Sequence, residues 1–460
     1  MKRAWRWIDE RLGWTKYISK VVLHPVPPNV NWWYVFGSAT LVAFIVQVVT
    51  GVALAFTYVP APNSAFDSLQ FISHQATLGS VVRGIHYWGA SAMVILITIH
   101  MIRVFTMGSY KYPREMNWLV GVGLFLLTLG MAFTGQLLRW DQDAYWAIVV
   151  GAEQAGRVPL IGGFLAHTLV AGNTVGGATL TRFYATHVFL FPALIFMFVG
   201  LHLYLVVVHG ISEPPVSGHP VEPETYVEEY NELIDKKGIP FWPDAAWRDV
   251  IAAVAIGAIV LALAIYVGPK ELAQPADPTL LKVYPRPDWY FLWYFAILAL
   301  LPRWSESWFI VGAPVLGILA LIAVPFISNR GERSPARRPW TIAIVVISIV
   351  AISVLIRVGE QAPWSPQLSP PPLPASVTQP LQGSALAGSV VFQNAGCHSC
   401  HTIAGTGGNR GPNLTHIGRA LSGPQLTTRI LNGGNNMPAY GTILNPGDVN
   451  DLVAFLSQMK

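Results

Sequence analysis

The sequence predicts an all-α membrane protein in which seven spanning helices, four of them bundled around two pairs of histidines, are followed by a small soluble all-α domain. Three observations carry this. Of 460 residues, 53% are hydrophobic and only 12% charged, a balance that belongs to a membrane protein rather than a soluble one with a large core. Seven stretches are long and apolar enough to span, at about 32–57, 84–106, 117–138, 183–208, 248–268, 306–328 and 340–357. Two of them carry paired histidines: RGIHYWGASAMVILITIHMIRVF holds His86 and His100 fourteen residues apart, and RFYATHVFLFPALIFMFVGLHLYLVVVHG holds His187 and His202 fifteen apart.

Fourteen or fifteen residues is about 21 Å of α-helix and close to a whole number of turns, so each pair points one way from opposite depths. Histidine in hydrocarbon is costly unless paired, hydrogen-bonded or bound to a metal. Any single one reads as a satisfied interior residue; four in matched spacing read as ligands of two haems stacked across a bilayer, each iron taking one imidazole from each helix.

Seven spans place the chain ends on opposite sides. The N-terminal arm and the loops 103–116, 209–246 and 329–339 gather Arg103, Lys111, Arg114, Lys236, Lys237, Arg330, Arg333, Arg337 and Arg338 on one face. The positive-inside rule makes that face cytoplasmic and puts everything after residue 357 outside, although Lys270, Lys282, Arg286 and Arg303 soften the contrast. The arm MKRAWRWIDERLGWTKYISK is basic and amphipathic without a cleavable apolar core, so it reads as a helix lying on the lipid surface. The net charge of +5 is scattered beside the spans, which argues for membrane topology and against nucleic acid.

With helices alternating, the second and fourth run parallel, so His86 pairs with His187 near the outer face and His100 with His202 near the inner. The first and third helices echo the interval: Gly37 and Gly51 are fourteen apart, and so are Gly121 and Gly135. Glycines there give a flat macrocycle room against the backbone, or they serve ordinary small-residue helix packing. Arg83, Arg103, Arg114 and Arg182 stand at the ends of these helices, where guanidinium groups suit haem propionates as well as lipid headgroups.

Two outer segments stand out. The loop LRWDQDAYWAIVVGAEQAGRVPLIGGF is too long for a plain connection and reads as partly helical and functional. KVYPRPDWYFLWYFAILALL sets Asp288 between Pro287 and the aromatics Trp289 and Tyr290 at the membrane margin, where a carboxylate suits a proton acceptor; alone, the run would equally be an ordinary loop aspartate.

After the seventh span, GEQAPWSPQLSPPPLPASVTQPLQGS is proline-rich and nearly uncharged, a semi-rigid tether reaching up to roughly 70 Å. Behind it lies CHSCH, with Cys397 and Cys400 placed for thioethers to haem vinyl groups and His401 for the iron; a zinc or redox CxxC is the alternative. Downstream, GPNLTHIG and NNMPAYG supply a haem-edge loop and Met437 as sixth ligand, and SALAGSVVFQNAG and GDVNDLVAFLSQM read as flanking helices. The divisions expected are an arm (1–30), the di-haem four-helix bundle (31–215), a three-helix part (216–357), a linker (358–382) and a tail domain (383–460).

Residues 1–357 resemble the cytochrome b of bc-type quinol:cytochrome c reductases, in particular the shorter chloroplast and cyanobacterial branch, on the fifteen-residue interval His187–His202, the run TLTRFY, the stretch WDQDAYWA and three helices after the bundle. In that branch the two parts are separate polypeptides; here they are joined, and the tail resembles a class I cytochrome c. The resemblance implies two non-covalent b haems, on His86 with His187 (outer, low-potential) and His100 with His202 (inner), one covalent c haem, and a homodimer. It implies an outer quinol site between the WDQ loop and Pro287-Asp288-Trp289-Tyr290, where the family has Pro-Glu-Trp-Tyr, and a role for His209 at an inner quinone pocket, against an ordinary interfacial histidine. The branch anchors an extra inner haem through a cysteine whose place is taken here by Val35, so a covalent haem is not expected there.

The function implied is a proton-translocating quinol:cytochrome c oxidoreductase subunit in a bacterial cytoplasmic membrane, with electrons parting between the b haems and a high-potential acceptor. No cysteine remains for an iron–sulfur cluster, so a separate Rieske protein is the expected partner, with a soluble cytochrome or an oxidase downstream of the tail. The rival is a di-haem, quinone-reactive anchor of a dehydrogenase with a tethered cytochrome c shuttle and no bifurcation.

Overall fold

The computed structural model describes all residues except 1, 14, 16–18, 20–21, 173–174, 278–285, 362–370, 409–410 and 434–436. Much of the proline-rich tether and the start of the outer KVYP segment therefore lie outside the described residues. Among the described residues, seven helices are long and apolar enough to cross a membrane: Phe36–Ala55, Gly79–Thr106, Glu115–Leu137, Gly177–His209, Trp247–Tyr266, Trp304–Ile327 and Pro339–Gln361. They coincide with the seven expected stretches. The second and fourth begin several residues earlier than their apolar runs, because the backbone ladder continues through polar first turns that contain Arg83, Thr179 and Arg182. Phe326, Ile327, Leu316 and Ile347 point outward and exposed, a surface that lipid, not water, accommodates.

The fourth span is not a uniform α-helix. Thr186–Leu190 forms a wide π turn, immediately before Pro192, and His187 lies within it. Such a turn takes in one extra residue. The fifteen-residue interval to His202 thus behaves like the fourteen-residue interval between His86 and His100.

Polar loops form a plate at each end. On one face Pro25–Val26 pairs antiparallel with Ile239–Pro240, and Val221 pairs with Gly331. Lys111 Nζ donates to Ser328 O at 2.8 Å, and Arg333 forms an ion pair with Glu213. The arm and the three arginine- and lysine-bearing loops are thus joined to one another. On the other face the loop after the third span folds into helices Gln142–Gly156 and Gly162–Val170. Gln142 N donates to Gln274 O at 2.9 Å, and Arg157 reaches Glu306 at 2.9 Å. The apolar helix Trp289–Leu300, twelve residues long, is too short to span and packs beside the seventh span.

The tail is a separate small core. Helices Gly383–Asn394 and Pro446–Gln458 cross tightly, with Phe392 and Phe455 rings 5.5 Å apart. The crossing depends on Gly388, where an added Cβ would lie 1.9 Å from Asp451 O. Gly388→Leu is expected to destabilise the tail by about 3 kcal/mol through overpacking. Limited proteolysis of the purified chain should then remove the tail and leave the membrane part intact.

Candidate functional site

The four histidines meet in two cross-helix pairs. His86 and His187 have ring centroids 6.3 Å apart with planes at 81°; His100 and His202 are 6.5 Å apart at 79°. Two imidazole–metal bonds of about 2 Å, with about 1.1 Å from each nitrogen to its ring centre, put the centroids about 6.2 Å apart across one shared metal ion. The residues present fit an iron ion that would be shared by two imidazoles, twice.

Each of the four glycines that keep the fourteen-residue interval in the first and third spans faces one of these imidazoles. A Cβ built on Gly37 would lie 3.2 Å from His100 Cε1, and one on Gly51 3.2 Å from His86 Cε1. On Gly135 it would lie 2.6 Å from His187 Cε1, and on Gly121 3.7 Å from His202 Cε1. Gly37, Gly51 and Gly135 therefore make room first for the imidazole itself, whereas a side chain at Gly121 would make an ordinary contact.

The arginines divide. Arg103 is buried with its guanidinium 3.7 Å over the Tyr34 ring, and its Nε and Nη2 have no hydrogen-bond partner; it is a cation held ready for an anion. Arg114 instead donates to Gly210 O at 2.9 Å, Tyr226 Oη at 2.7 Å and His209 O at 3.0 Å, closing the carbonyl end of the fourth span. Burial outweighs that arginine and pushes the Tyr226 hydroxyl up to about 12. Arg83 bonds Ser73 Oγ at 2.8 Å and Lys270 O at 2.7 Å. Arg182 is exposed and bonds Thr168 O at 2.7 Å.

At the end that carries the long loop after the third span, Asp141 is fully buried and organises two segments. It caps the helix Gln142–Gly156 by accepting from Ala144 N at 3.0 Å and also accepts from Ala273 N at 3.0 Å. Gln142 Nε2 donates to Asp277 O at 2.7 Å. The loop 270–277 is thus stitched onto Trp140–Gln142. Asp288 begins the helix Trp289–Leu300, following Pro287, and accepts from Tyr290 Oη at 3.1 Å. Trp289 Nε1 donates to Ser91 Oγ at 3.3 Å, tying the segment to the second span. Lys270 Nζ lies 3.9 Å from Asp288 Oδ1 and 3.6 Å from Asp143 Oδ2, one ammonium between two carboxylates. Sequence reasoning missed Lys270, whose partners are far away in the chain.

At the opposite end of the bundle a cavity is lined by His100, Arg103, Ser109, Asn117, His202 and Ser212 among others. The ring of His209 is not part of that lining; the residue contributes its carbonyl to Arg114. Asp249, in the first turn of the fifth span, accepts from Ser38 Oγ at 2.7 Å, next to Gly37. A carboxylate opening an apolar span was a signal available in the sequence.

In the tail, Cys397 and Cys400 are half-buried and not joined to each other by a disulfide. His401 Nδ1 lies 2.8 Å from Pro412 O, so Nδ1 carries the hydrogen and Nε2 is left as a donor atom for a metal. Burial lowers the imidazole below its ordinary value, keeping it neutral. A Cβ on Gly411 would lie 2.4 Å from His401 Cε1, so the ring has backbone on one side. Met437 is half-buried.

Three family models match in succession: "Cytochrome b/b6/petB" over residues 21–210, "Cytochrome b(C-terminal)/b6/petD" over 275–369, and "Cytochrome C oxidase, cbb3-type, subunit III" over 383–456. The chain is 43% identical over 210 residues to cytochrome b6 of Heliobacterium mobile, covering 45% of this chain and 99% of the relative. It is 40% identical over 223 residues to the menaquinol:cytochrome c reductase cytochrome b subunit of Bacillus subtilis, covering 46% and 99%. Among solved structures, a chain of "Hyperthermophilic respiratory Complex III" aligns with a TM-score of 0.66 and 29% identity, covering 78% of this chain and 91% of that one. The chain therefore belongs to the cytochrome b/b6 family of haem-binding, multi-pass membrane proteins, with both cytochrome b parts in one polypeptide and a cytochrome c domain fused behind them.

Proposed function

We propose that this chain is the quinol-oxidising subunit of a bc-type quinol:cytochrome c oxidoreductase of a bacterial cytoplasmic membrane, coupling bifurcated electron transfer to proton translocation. The observation that carries the reading is the pair of imidazole pairs at single-iron spacing, 6.3 and 6.5 Å between centroids, stacked inside one bundle. His86 with His187 and His100 with His202 would hold two b haems; Cys397, Cys400, His401 and Met437 would hold one c haem; Arg103 would anchor a propionate. Bound there, the haems supply one-electron carriers on either side of the quinol's two-electron chemistry.

Quinol oxidation releases two protons and two electrons, so the outer site must accept protons and divide electrons. Asp288 accepts the first proton from a quinol hydroxyl, oriented by Tyr290 Oη at 3.1 Å. When that proton neutralises Asp288, Lys270 keeps a counter-charge at Asp143, 3.6 Å away, on the side leading to water. The aspartate arm is shorter than the glutamate of the resemblance, and Lys270 gives it a fixed cationic neighbour. One electron leaves to a Rieske iron–sulfur protein, since the chain's two cysteines are both in CHSCH. The other enters the bundle towards the inner face, where Asp249 and Ser38 stand to protonate a quinone. The tether keeps the tail at high local concentration beside its electron donor, on the outer side if the charged loops face the cytoplasm. A soluble cytochrome or an oxidase then draws electrons from it, and family membership supports a homodimer. The buried Asp141 clamp and the Asp288–Tyr290 contact favour this reading over a di-haem anchor, which has no need of a second quinol-processing site at the outer mouth.

Asp288→Asn is expected to slow quinol oxidation by about 100-fold or more while leaving the haem spectrum unchanged, as measured by steady-state cytochrome reduction at saturating quinol. The reading itself is tested by adding quinol and an outer oxidant in the presence of an inner-site inhibitor. Extra reduction of the b haems, together with a co-purifying Rieske protein, is expected; an anchor would give neither.

A further inference from the structure

Each histidine of the outer pair is met by the hydroxyl of a threonine that directly precedes a glycine: Thr50-Gly51 in the first span and Thr134-Gly135 in the third. Thr50 Oγ1 lies 2.9 Å from His86 Nδ1, and Thr134 Oγ1 lies 3.1 Å from His187 Nδ1. Both threonines are buried. The direction of these bonds follows from the other bond each hydroxyl makes. Thr50 Oγ1 donates its one hydrogen to Val46 O at 2.6 Å, and Thr134 Oγ1 donates to Gly130 O and Met131 O, both at 3.0 Å. With that hydrogen committed, the oxygen facing each ring offers a lone pair, so Nδ1 must carry the hydrogen. For His187 the Met131 carbonyl, 3.1 Å from Nδ1, demands the same.

The inner pair lacks this closure. Gly37 follows Phe36 and Gly121 follows Val120, neither of which has a hydroxyl. His202 Nδ1 faces the Asn117 carbonyl without reaching hydrogen-bond geometry. Among the described residues, no hydroxyl is bonded to His100 or His202.

We propose that Thr50 and Thr134 are positioning residues that lock His86 and His187 in the Nδ1–H tautomer, presenting Nε2 to the iron, and hold the outer haem at a lower reduction potential than the inner one. An imidazole whose Nδ1–H is hydrogen-bonded is a stronger electron donor through Nε2 and stabilises the more highly charged ferric state. Two such bonds on one iron and none from a hydroxyl on the other bias an electron from the outer side towards the inner. The inference rests on the assignment of the four histidines as haem ligands.

The test is a redox titration of the purified full-length chain carrying Thr50→Val and Thr134→Val, singly and together, with the low-spin ferric electron paramagnetic resonance signals recorded in parallel. Valine keeps the shape and removes the acceptor. The double variant is expected to shift the outer haem about tenfold towards the reduced form at a given potential, which is 59 mV for one electron. The outer ferric signal should move with it and the inner haem should stay unchanged, while Thr50→Ser and Thr134→Ser restore the native values. Selective loss of the outer haem in the valine variants, recovered with serine, also supports the lock. If both b haems are retained and titrate as in the native chain, or if both shift equally, the inference is overturned. A native chain without two b haems overturns instead the ligand assignment beneath it.

Discussion

Four imidazoles turned inward in an apolar bundle are the constraint on which the rest of the molecule depends. Each ring has two nitrogens, and in hydrocarbon neither can be left to water. Pairing the rings across two parallel helices at 6.3 and 6.5 Å lets one nitrogen of each share a metal with its partner. The backbone then has to come close enough for that geometry, which is why a glycine stands opposite every one of the four rings. The wide turn at Thr186–Leu190 belongs to the same demand, since it brings a fifteen-residue interval into step with a fourteen-residue one.

The polar ends serve the bundle in different ways. The inner plate is a lattice of arginines and lysines spent largely on carbonyls and carboxylates, as with Arg114 on the end of the fourth span and Arg333 on Glu213. Arg103, by contrast, is a buried cation whose Nε and Nη2 have no hydrogen-bond partner, and it lines the cavity with His100 and His202. The outer plate is acidic where it matters: Asp141 holds two segments together, and Asp143 and Asp288 share Lys270. A rigid clamp beside a carboxylate that shares one ammonium with a second carboxylate suits the proton transfer proposed for this end.

Much of this was legible in the sequence because it is periodic. Helical spacing alone paired His86 with His187 and His100 with His202 once alternation of the spans set their direction, and the same interval picked out the glycines. CHSCH and its flanking helices were legible as a local signature. What escaped reading depends on contacts between distant segments. Nothing near Lys270 announces that it will sit between Asp143 and Asp288. The commitment of Arg114 to the carbonyls of His209 and Gly210 follows from where the fourth span ends, and it gives His209 a role through its backbone at the edge of the inner cavity. The threonines that precede Gly51 and Gly135 were visible as residues but carried no meaning until their hydroxyls were seen to be already bonded to the helix backbone.

The central claim is that one polypeptide holds two haems in its membrane part and one in its tail. Haem quantification of the purified chain by reduced-minus-oxidised and alkaline pyridine spectra tests this most directly. Two b haems and one covalently bound c haem per chain are expected. A single b haem, or a c haem released by acid–acetone extraction, would contradict it.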